Sequence, residues 1–568
     1  MSRFSSFRAA RDFLLDHSGD HDRVMREFTW PKLDRFNWAH DHFDQIARDN
    51  QRPALLFANA GGVTHTRSFE ELRVRSNQLA NLLRRHGVER GDRLLLMLPN
   101  VVPLWETMLA AMKLGVVVIP ATPQLTPADV GDRFARGRAK HVVTDAEGSD
   151  RIGALGASGA RLIVGASRVG WVDYSRVEGE SDTLADPGPT NASDPMLLYF
   201  TSGTTAKPKL VLHTHQSYPV GHLTTMYWLG VKRGERHLNI SSPGWAKHAY
   251  SSFFAPWNAE AAIVVLDAPR VEPKIVLDTM ERAHVVTFCG PPTLWRMLIN
   301  EELVGRRGAL REIVSAGEPL NPEVIERVHQ AWGLLVREGY GQTETTIVAG
   351  NFPGQPVKPG SMGRPAPGYR LEVLPRRGEE EEGGGDGEIA LALEPNPLGL
   401  MEGYLDDPSK MNAAREEGFY RTGDVGVADA DGYLTYVGRA DDVFKSAGYR
   451  LSPFELESVL IEHPAVAEAA VVESPDAVRM VVPKAFLMLR GGFHPSRELA
   501  LDLFRFVRKR LPAYQRIRRL EFAELPKTIS GKIRRVELRV REREQVAQGR
   551  RSDACHWEDD FPELKKGG

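Results

Sequence analysis

Residues 196–209 read MLLYFTSGTTAKPK, five apolar residues running straight into a turn of threonine, serine, glycine and lysine. A continuous apolar run of that length, closed by turn residues, reads as a strand buried on both faces, the kind found in parallel sheets covered by helices. The flanking pattern agrees. Upstream, Ser68 and Glu71 have capping-box spacing, Leu72, Leu79, Leu82 and Leu83 recur at helical intervals, and Gly87 can end that helix. LLLML at 94–98 then reads as the next buried strand, and PLWETMLAAMKL at 103–114 as a helix leading into GVVVIP. Downstream, IVVL at 263–266 and the pair Asn321 and Pro322, an N-cap with proline at the first helical position, continue the alternation. The body is therefore α/β with a largely parallel sheet.

Composition sets the limits around that body. The chain has 568 residues, 42% of them hydrophobic and 26% charged, which is ordinary for a globular protein and enough for several compact units. With 73 basic and 75 acidic residues the net charge is −2, so nothing pulls the whole molecule toward nucleic acid or an anionic membrane. Any anion it binds must be held locally. Cys289 and Cys555 are too few for a disulfide framework or a cysteine zinc site and point to a reducing compartment, the cytoplasm. The apolar stretches 94–98 and 115–121 fall far short of the about 20 residues of a membrane span. The opening MSRFSSFRAARDFLLDHSGD carries Asp12, Asp16 and Asp20, which suit a helix of the folded protein better than an acid-poor targeting segment. The sequence leaves a homo-oligomer open.

The texture changes late in the chain. RRGEEEEGGGDG at 376–387 reads as a solvated hairpin tip. After Gly438, Ser452 as N-cap, Pro453 at the first helical position and Glu455 start a helix that Pro464 ends before the strand VAEAAVV, and a second amphipathic helix lies between Pro495 and Pro512. This predicts a large body over 1–438, a small α+β module over 439–545 with a basic run from Arg505 to Arg543, and a polar, frayed tail over 546–568.

Five segments carry chemistry. The turn at 201–209 brings backbone N–H groups and small hydroxyls where phosphate oxygens can approach, with Lys209 adding charge, although it is not a Walker loop. The others are SAGEP at 315–319, EGYGQTET at 338–345, YRTGD at 420–424 with GRADDVFKSAGYR at 438–450, and PKTISGKI at 526–533. In this order and spacing they resemble the adenylate-forming superfamily of acyl-CoA synthetases, peptide-synthetase adenylation domains and luciferases. SSPGWAKHAYSSFFAPW at 241–257 and WPKLDRFNWAHDHFD at 30–44 look most like the medium-chain acyl-CoA synthetase branch.

The resemblance implies fused parallel-sheet α/β subdomains plus a β-barrel-like subdomain, with a small α+β C-terminal domain on a hinge. It also implies a two-step reaction. A carboxylate attacks the α-phosphate of ATP to give an acyl-adenylate and pyrophosphate, and the thiol of coenzyme A then displaces AMP. On that reading Thr201, Ser202, Gly203, Thr204, Thr205 and Lys209 cradle the phosphates, Glu344 holds Mg²⁺, and Thr343 contacts the α-phosphate. Gly317, Glu318 and Pro319 line the adenine pocket with Tyr340 stacking on the base, while Asp424 takes the ribose hydroxyls and Arg439 sits beside it. Lys532 reaches the attacking carboxylate and the α-phosphate. Asp441 is the hinge, and Gly448 and Arg450 meet coenzyme A, which the basic run also suits.

Trp245, Lys247, His248 and Tyr250 fall in the family's acyl-site segment. Gly341 stands where acetate- and propionate-specific members carry a tryptophan, so a deeper pocket for a medium-chain or branched acid is expected, with aryl acids next. Ala206 replaces a usual glycine of the phosphate loop. Cys289, in VVTFCGPP, reads as a core residue rather than a nucleophile, and His213 and His215 as ordinary residues without metal-site spacing. The competing functions are an acyl-AMP ligase that loads a separate carrier protein, a catalytically silent nucleotide-binding module, and a luciferase-like oxygenase.

Overall fold

The computed structural model describes residues 3–564 apart from 154, 156, 202–207, 378–384, 447–448, 477–478 and 529–531. Among these residues the strand Pro195–Thr201 lies in an eight-stranded sheet, in the order 403–404, 209–214, 195–201, 117–121, 93–97, 141–145, 161–164 and 172–173. All neighbours from Pro195–Thr201 to the far edge are parallel. Their near-continuous apolar sequences are explained by helices such as Phe69–Arg85 and Val102–Leu114, which bury their apolar positions against the sheet. The Ser68 and Glu71 capping box forms as read, each side chain taking up the other's backbone N–H.

A nine-stranded sheet carries the second half of the body, with a parallel core of strands 337–341, 312–316, 287–289, 236–239, 262–266 and 53–59. Consecutive parallel strands there end on one edge, where such sheets place their ligands. A five-stranded antiparallel sheet follows. Strands Leu371–Leu374 and Asp386–Ala392 pair across the charged stretch as the expected hairpin, whose tip lies outside the described residues. Among the described residues its strands pair in the order 371–374, 386–392, 419–428 and 415–416, with 434–439 also paired to 419–428. The opening segment does form a helix, Phe7–Asp16, whose Phe7, Phe13 and Leu14 enter the main core.

The C-terminal module begins after the strand Leu434–Arg439. It is a four-stranded sheet with helices Pro453–Ile461, Arg497–Arg510 and Arg535–Ala547, plus the two-stranded pair Phe444–Ser446 and Tyr449–Leu451. The frayed tail expected over 546–568 is corrected here. Strand Cys555–Trp557 pairs with Arg519–Phe522, and Phe561 and Leu564 are buried in the module's core. Those few apolar residues, set among charges, bury enough surface to hold the segment down. Most cations of the basic run are paired within the module. Arg508 and Arg518 meet Glu558, Arg535 meets Glu457, Arg541 meets Glu521, and Arg519 meets Asp476. No helix among the described residues is long and apolar enough to cross a membrane.

Candidate active site

The turn at 201–209 is the tip of a hairpin rather than a strand-to-helix loop: Pro195–Thr201 and Lys209–Thr214 are antiparallel, with Thr201 opposite Lys209. Ser202, Gly203, Thr204, Thr205 and Ala206 lie outside the described residues. Lys209 Nζ stands 3.3 Å from the Tyr404 hydroxyl and 5.0 Å from its ring centroid. That hydroxyl donates to Glu344 Oε1 at 2.9 Å. Tyr404 thus ties the phosphate hairpin to the acidic turn 342–345, a link with no signal in the sequence. Burial and the adjacent Glu344 carboxylate both push the Tyr404 hydroxyl's pKa up, so it stays a donor. Thr343 is steadied from beneath, its carbonyl 2.7 Å from His213 Nε2. Burial lowers His213 to about 4, which keeps the imidazole neutral. His213, read from the sequence as ordinary, is therefore a prop for this turn. His215 is buried with neither ring nitrogen partnered among the described residues.

Asp424 is the best-defended carboxylate of the site. It accepts from Tyr340 Oη at 2.7 Å, Gln342 Nε2 at 2.5 Å and Arg439 Nη1 at 2.9 Å. A carboxylate can take several such donors, and charge-assisted bonds are the stronger kind. Gln342 was not singled out from the sequence, although it sits inside the motif. Tyr340 is buried, and its hydroxyl fixes the ring beside Asp424. Gly317 follows the strand Glu312–Ala316 at φ +102°, a conformation side chains avoid, so the turn 315–319 needs glycine there. Lys247 Nζ borders that turn, donating to the Ala316 carbonyl and lying 3.4 Å from where a Gly317 side chain would begin. Glu318, half-buried, faces Arg296 at 4.0 Å, and Pro319 completes the turn.

The segment expected at the acyl site folds as one helical run. Trp245 caps the helix Ala246–Ala249, which continues through a π-helical turn over Tyr250–Phe254 into Ala255–Asn258. His248 Nε2 meets Asn100 Oδ1 at 2.9 Å, and Tyr250 packs on His222. Cys289 is buried as expected. Gly341 is corrected. A side chain there would start 2.1 Å from the Thr346 carbonyl, in the bend just before the neighbouring strand Ile347–Gly350, so close backbone approach demands glycine and the position is not an open stretch of acyl wall. Tryptophan at 341 would displace that backbone before it filled any pocket.

The C-terminal module closes the site. Lys532 sits on a tight turn, its N–H on Thr528 Oγ1 at 3.1 Å and its carbonyl taking the Thr528 N–H at 2.8 Å. Its charge helps lower the pKa of Lys247, after the larger effect of burial, so the two ammonium groups share one neighbourhood. Several cross-body contacts hold this arrangement. Arg450 pairs with Asp386 at 2.8 Å, Ser452 donates to the Val437 carbonyl, and Arg376 donates to the Ala440 carbonyl at 2.8 Å. Arg450 is therefore engaged with the large body here rather than offered to a ligand, and Gly448 lies outside the described residues. Asp441 is half-exposed at the junction, 3.7 Å from Arg439 Nε, with its carbonyl bonded by Arg539. Beside it opens a cleft of about 570 Å³ lined by Arg376, Arg377, Arg439, Lys445 and Asp441.

No group of three His, Cys, Asp or Glu side chains that could cage a metal exists among the described residues. Glu344, a single buried carboxylate with a second oxygen left beyond its bond to Tyr404, suits Mg²⁺, which typically takes one or two carboxylates and otherwise rides on nucleotide phosphates. Such an ion would neutralise phosphate charge.

Glu338, next to the 315–319 turn, is raised to about 7 by burial, against the pull of the Leu320 N–H that bonds it at 2.8 Å. The unfolded chain ionises this group near 4.5 while the folded protein keeps it protonated, so stability falls as pH rises from about 4.5 to 7. Glu338→Gln should remove up to about 3 kcal/mol of that fall. Urea midpoints of both proteins at pH 5 and pH 8 test this, and parallel pH dependences would refute it.

Comparison with known proteins follows the geometry. The AMP-binding enzyme family model matches residues 43–405, and the AMP-binding enzyme C-terminal domain matches 455–532. The chain is 43% identical over 527 residues to 4-hydroxybutyrate–CoA ligase 1 of Metallosphaera sedula, covering 91% of this chain and 92% of that one. It is 38% identical over 544 residues to the mitochondrial acyl-coenzyme A synthetase ACSM3 of Mus musculus, covering 92% and 93%. Among solved structures it resembles the anthranilate CoA ligase AuaEII in complex with anthranoyl-AMP, with a TM-score of 0.80, 27% identity, and 91% and 98% of the two chains covered. Matched over nine-tenths of its length by CoA ligases, the chain belongs to the AMP-binding enzymes of the adenylate-forming superfamily, and it is an acyl-CoA ligase that works through an acyl-adenylate with ATP and coenzyme A.

Proposed function

We propose that the acid is an aliphatic carboxylate longer than propionate, medium-chain or branched, activated in the cytoplasm. The observation that supports the division of labour is that the charge of Lys532 is felt at buried Lys247, whose ammonium bonds the Ala316 carbonyl of the 315–319 turn. Bringing a carboxylate to a phosphate sets anion against anion, and preorganised positive charge is the largest single device against that barrier. In this reading Lys532 neutralises the carboxylate and the α-phosphate oxygen, and Thr343 holds the latter. Asp424, already collecting donors from Tyr340, Gln342 and Arg439, exchanges part of that set for the ribose hydroxyls. Thr201, Lys209 and the rest of the hairpin tip cradle the outer phosphates, with Glu344 holding Mg²⁺ against them. Gly317, Glu318, Pro319 and Tyr340 receive the adenine.

For the second step the module turns about Asp441 and brings the segment of Gly448 and Arg450 to the site, which requires the Arg450 pair with Asp386 to open. An aliphatic acid is favoured by the relatives that share more than a third of their residues with this chain, named for 4-hydroxybutyrate and for acyl chains generally, whereas the aryl ligase is more distant in sequence.

The test is a panel of linear, branched and aryl acids assayed for AMP and pyrophosphate release with and without coenzyme A. We expect CoA-dependent AMP release to peak with aliphatic acids between butyrate and octanoate. A peak at acetate, or at benzoate and anthranilate, would overturn the substrate assignment.

A further inference from the structure

The strand Lys209–Thr214 ends beside the turn 342–345, and one buried imidazole joins the two. His213, fully buried, has Nε2 2.7 Å from the Thr343 carbonyl oxygen and Nδ1 3.0 Å from Ser217 Oγ. A carbonyl only accepts, so Nε2 carries the hydrogen and donates it there. Burial keeps the ring neutral, which leaves Nδ1 a lone pair that the Ser217 hydroxyl fills by donating. Ser217 Oγ in turn accepts from the Thr214 N–H at 2.9 Å, and the Ser217 N–H returns to Thr214 Oγ1 at 3.0 Å. Each bond in this chain has one permitted direction. It runs from the backbone at the end of the strand, through Ser217 and His213, to a carbonyl 130 residues further on.

That strand is the second arm of the phosphate hairpin, with Lys209 at its other end opposite Thr201. Tyr404 joins Lys209 to the same turn through Glu344 Oε1. The two links therefore grip consecutive residues of the turn, His213 by the Thr343 carbonyl and Tyr404 by the Glu344 carboxylate. The Glu344 carbonyl is held separately, by the Met401 N–H at 2.8 Å. A peptide unit is planar, so a hydrogen bond to the Thr343 carbonyl fixes the plane that begins at its Cα. The direction in which the Thr343 side chain leaves the backbone is fixed with it.

We propose that His213 is a positioning residue for adenylation, setting through the Thr343 carbonyl the place where the Thr343 hydroxyl meets the α-phosphate. This rests on the contact proposed above between Thr343 and that phosphate and adds the residue that places it. His213 acts through Thr343 and not on the reacting atoms. Placement matters at such a step, since a shift of about 1 Å caused by a change remote from the chemistry can cost a hundredfold. The ring also packs on Tyr218, with centroids 4.3 Å apart. Leucine at 213 keeps much of that packing and leaves the Thr343 carbonyl without its donor.

The experiment measures acid-dependent ATP–pyrophosphate exchange by the full chain for wild type, His213→Leu, His213→Gln, His213→Asn, Thr343→Ala and the double variant Thr343→Ala with His213→Leu. His213→Leu should lower kcat/KM for ATP by about ten- to a hundredfold and leave KM for the acid within about twofold. A glutamine amide nitrogen reaches the place of Nε2, whereas that of asparagine reaches only the place of Nδ1. His213→Gln should therefore recover most of the loss and His213→Asn little of it. In the Thr343→Ala background His213→Leu should add less than about threefold, because residues that act through one contact are not additive. If His213→Leu does not fold, the glutamine and asparagine variants decide. With Thr343→Ala impaired, losses that multiply in the double variant, equal activity of the two amide variants, or an unchanged kcat/KM for ATP in His213→Leu overturn the inference and leave the Thr343 contact standing. A Thr343→Ala protein as active as wild type overturns the contact, and the inference with it.

Discussion

Lys532→Ala is expected to lower acid-dependent ATP–pyrophosphate exchange by about a hundred- to a thousandfold, the loss that follows removal of one preorganised donor from a developing anion. Thioester formation from supplied acyl-AMP and coenzyme A should stay within a few-fold of wild type. The asymmetry follows from the place of Lys532 on an exposed turn of the C-terminal module, directed to the neighbourhood of Lys247 in the arrangement described here. Once the adenylate exists, the carboxylate no longer has to approach a phosphate, and the module no longer has to present this residue. Lys532 forms no ion pair among the described residues, so its loss should not move the unfolding midpoint, and reduced exchange cannot then be ascribed to misfolding. Equal losses in both half-reactions would refute the assignment.

Asp441→Pro should do the opposite. Proline holds its own φ near −65° and restricts the residue before it, so a hinge that must change its backbone angles is stiffened at two positions. The residues around it are already pinned: the Ala440 N–H donates to the Gly423 carbonyl at 2.9 Å, and the N–H groups of Asp442 and Val443 both reach the Arg439 carbonyl at 3.0 Å. Because the charge of Lys532 reaches Lys247 in this arrangement, the substitution should trap the arrangement proposed for adenylation. Pyrophosphate exchange should persist, while CoA-dependent thioester formation falls by about a hundredfold or more, equivalent to roughly 2.7 kcal/mol in the barrier. The Arg439–Asp441 contact is exposed on the acidic side and adds little, so Asp441→Ala, which removes the contact without stiffening the backbone, should be mild. Unchanged overall turnover of Asp441→Pro would exclude Asp441 as the hinge.

Much of the architecture was legible because it rests on short-range signals. Buried parallel strands announce themselves as apolar runs, and helix starts as Ser68 with Glu71, Asn321 with Pro322, and Ser452 with Glu455; all three caps form in the structure. The failures share a different cause. The segment after residue 546 reads as polar because its three apolar anchors, Cys555, Phe561 and Leu564, are scattered, and only the sheet edge and core they meet reveal what they bury. Gly341 reads as an open position because the Thr346 carbonyl that fills its side-chain space arrives from a turn of the chain whose path the sequence does not show. The basic run reads as available charge because the acids that neutralise it, Glu457, Glu521 and Glu558 among them, are far away in sequence.

The sequence by itself determined the α/β class, the five chemistry-bearing segments, and the family they spell out, since each motif is a run of neighbouring residues whose order along the chain is its signature. Only the tertiary structure decided how those segments divide the work. It set Tyr404 between Lys209 and Glu344, and gathered Tyr340, Gln342 and Arg439 on Asp424. Hydrogen bonds and ion pairs act over a few ångströms, whereas these partners lie up to about two hundred residues apart in the chain. Their meeting depends on which strand ends adjoin at the sheet edge, and that is a property of the assembled fold.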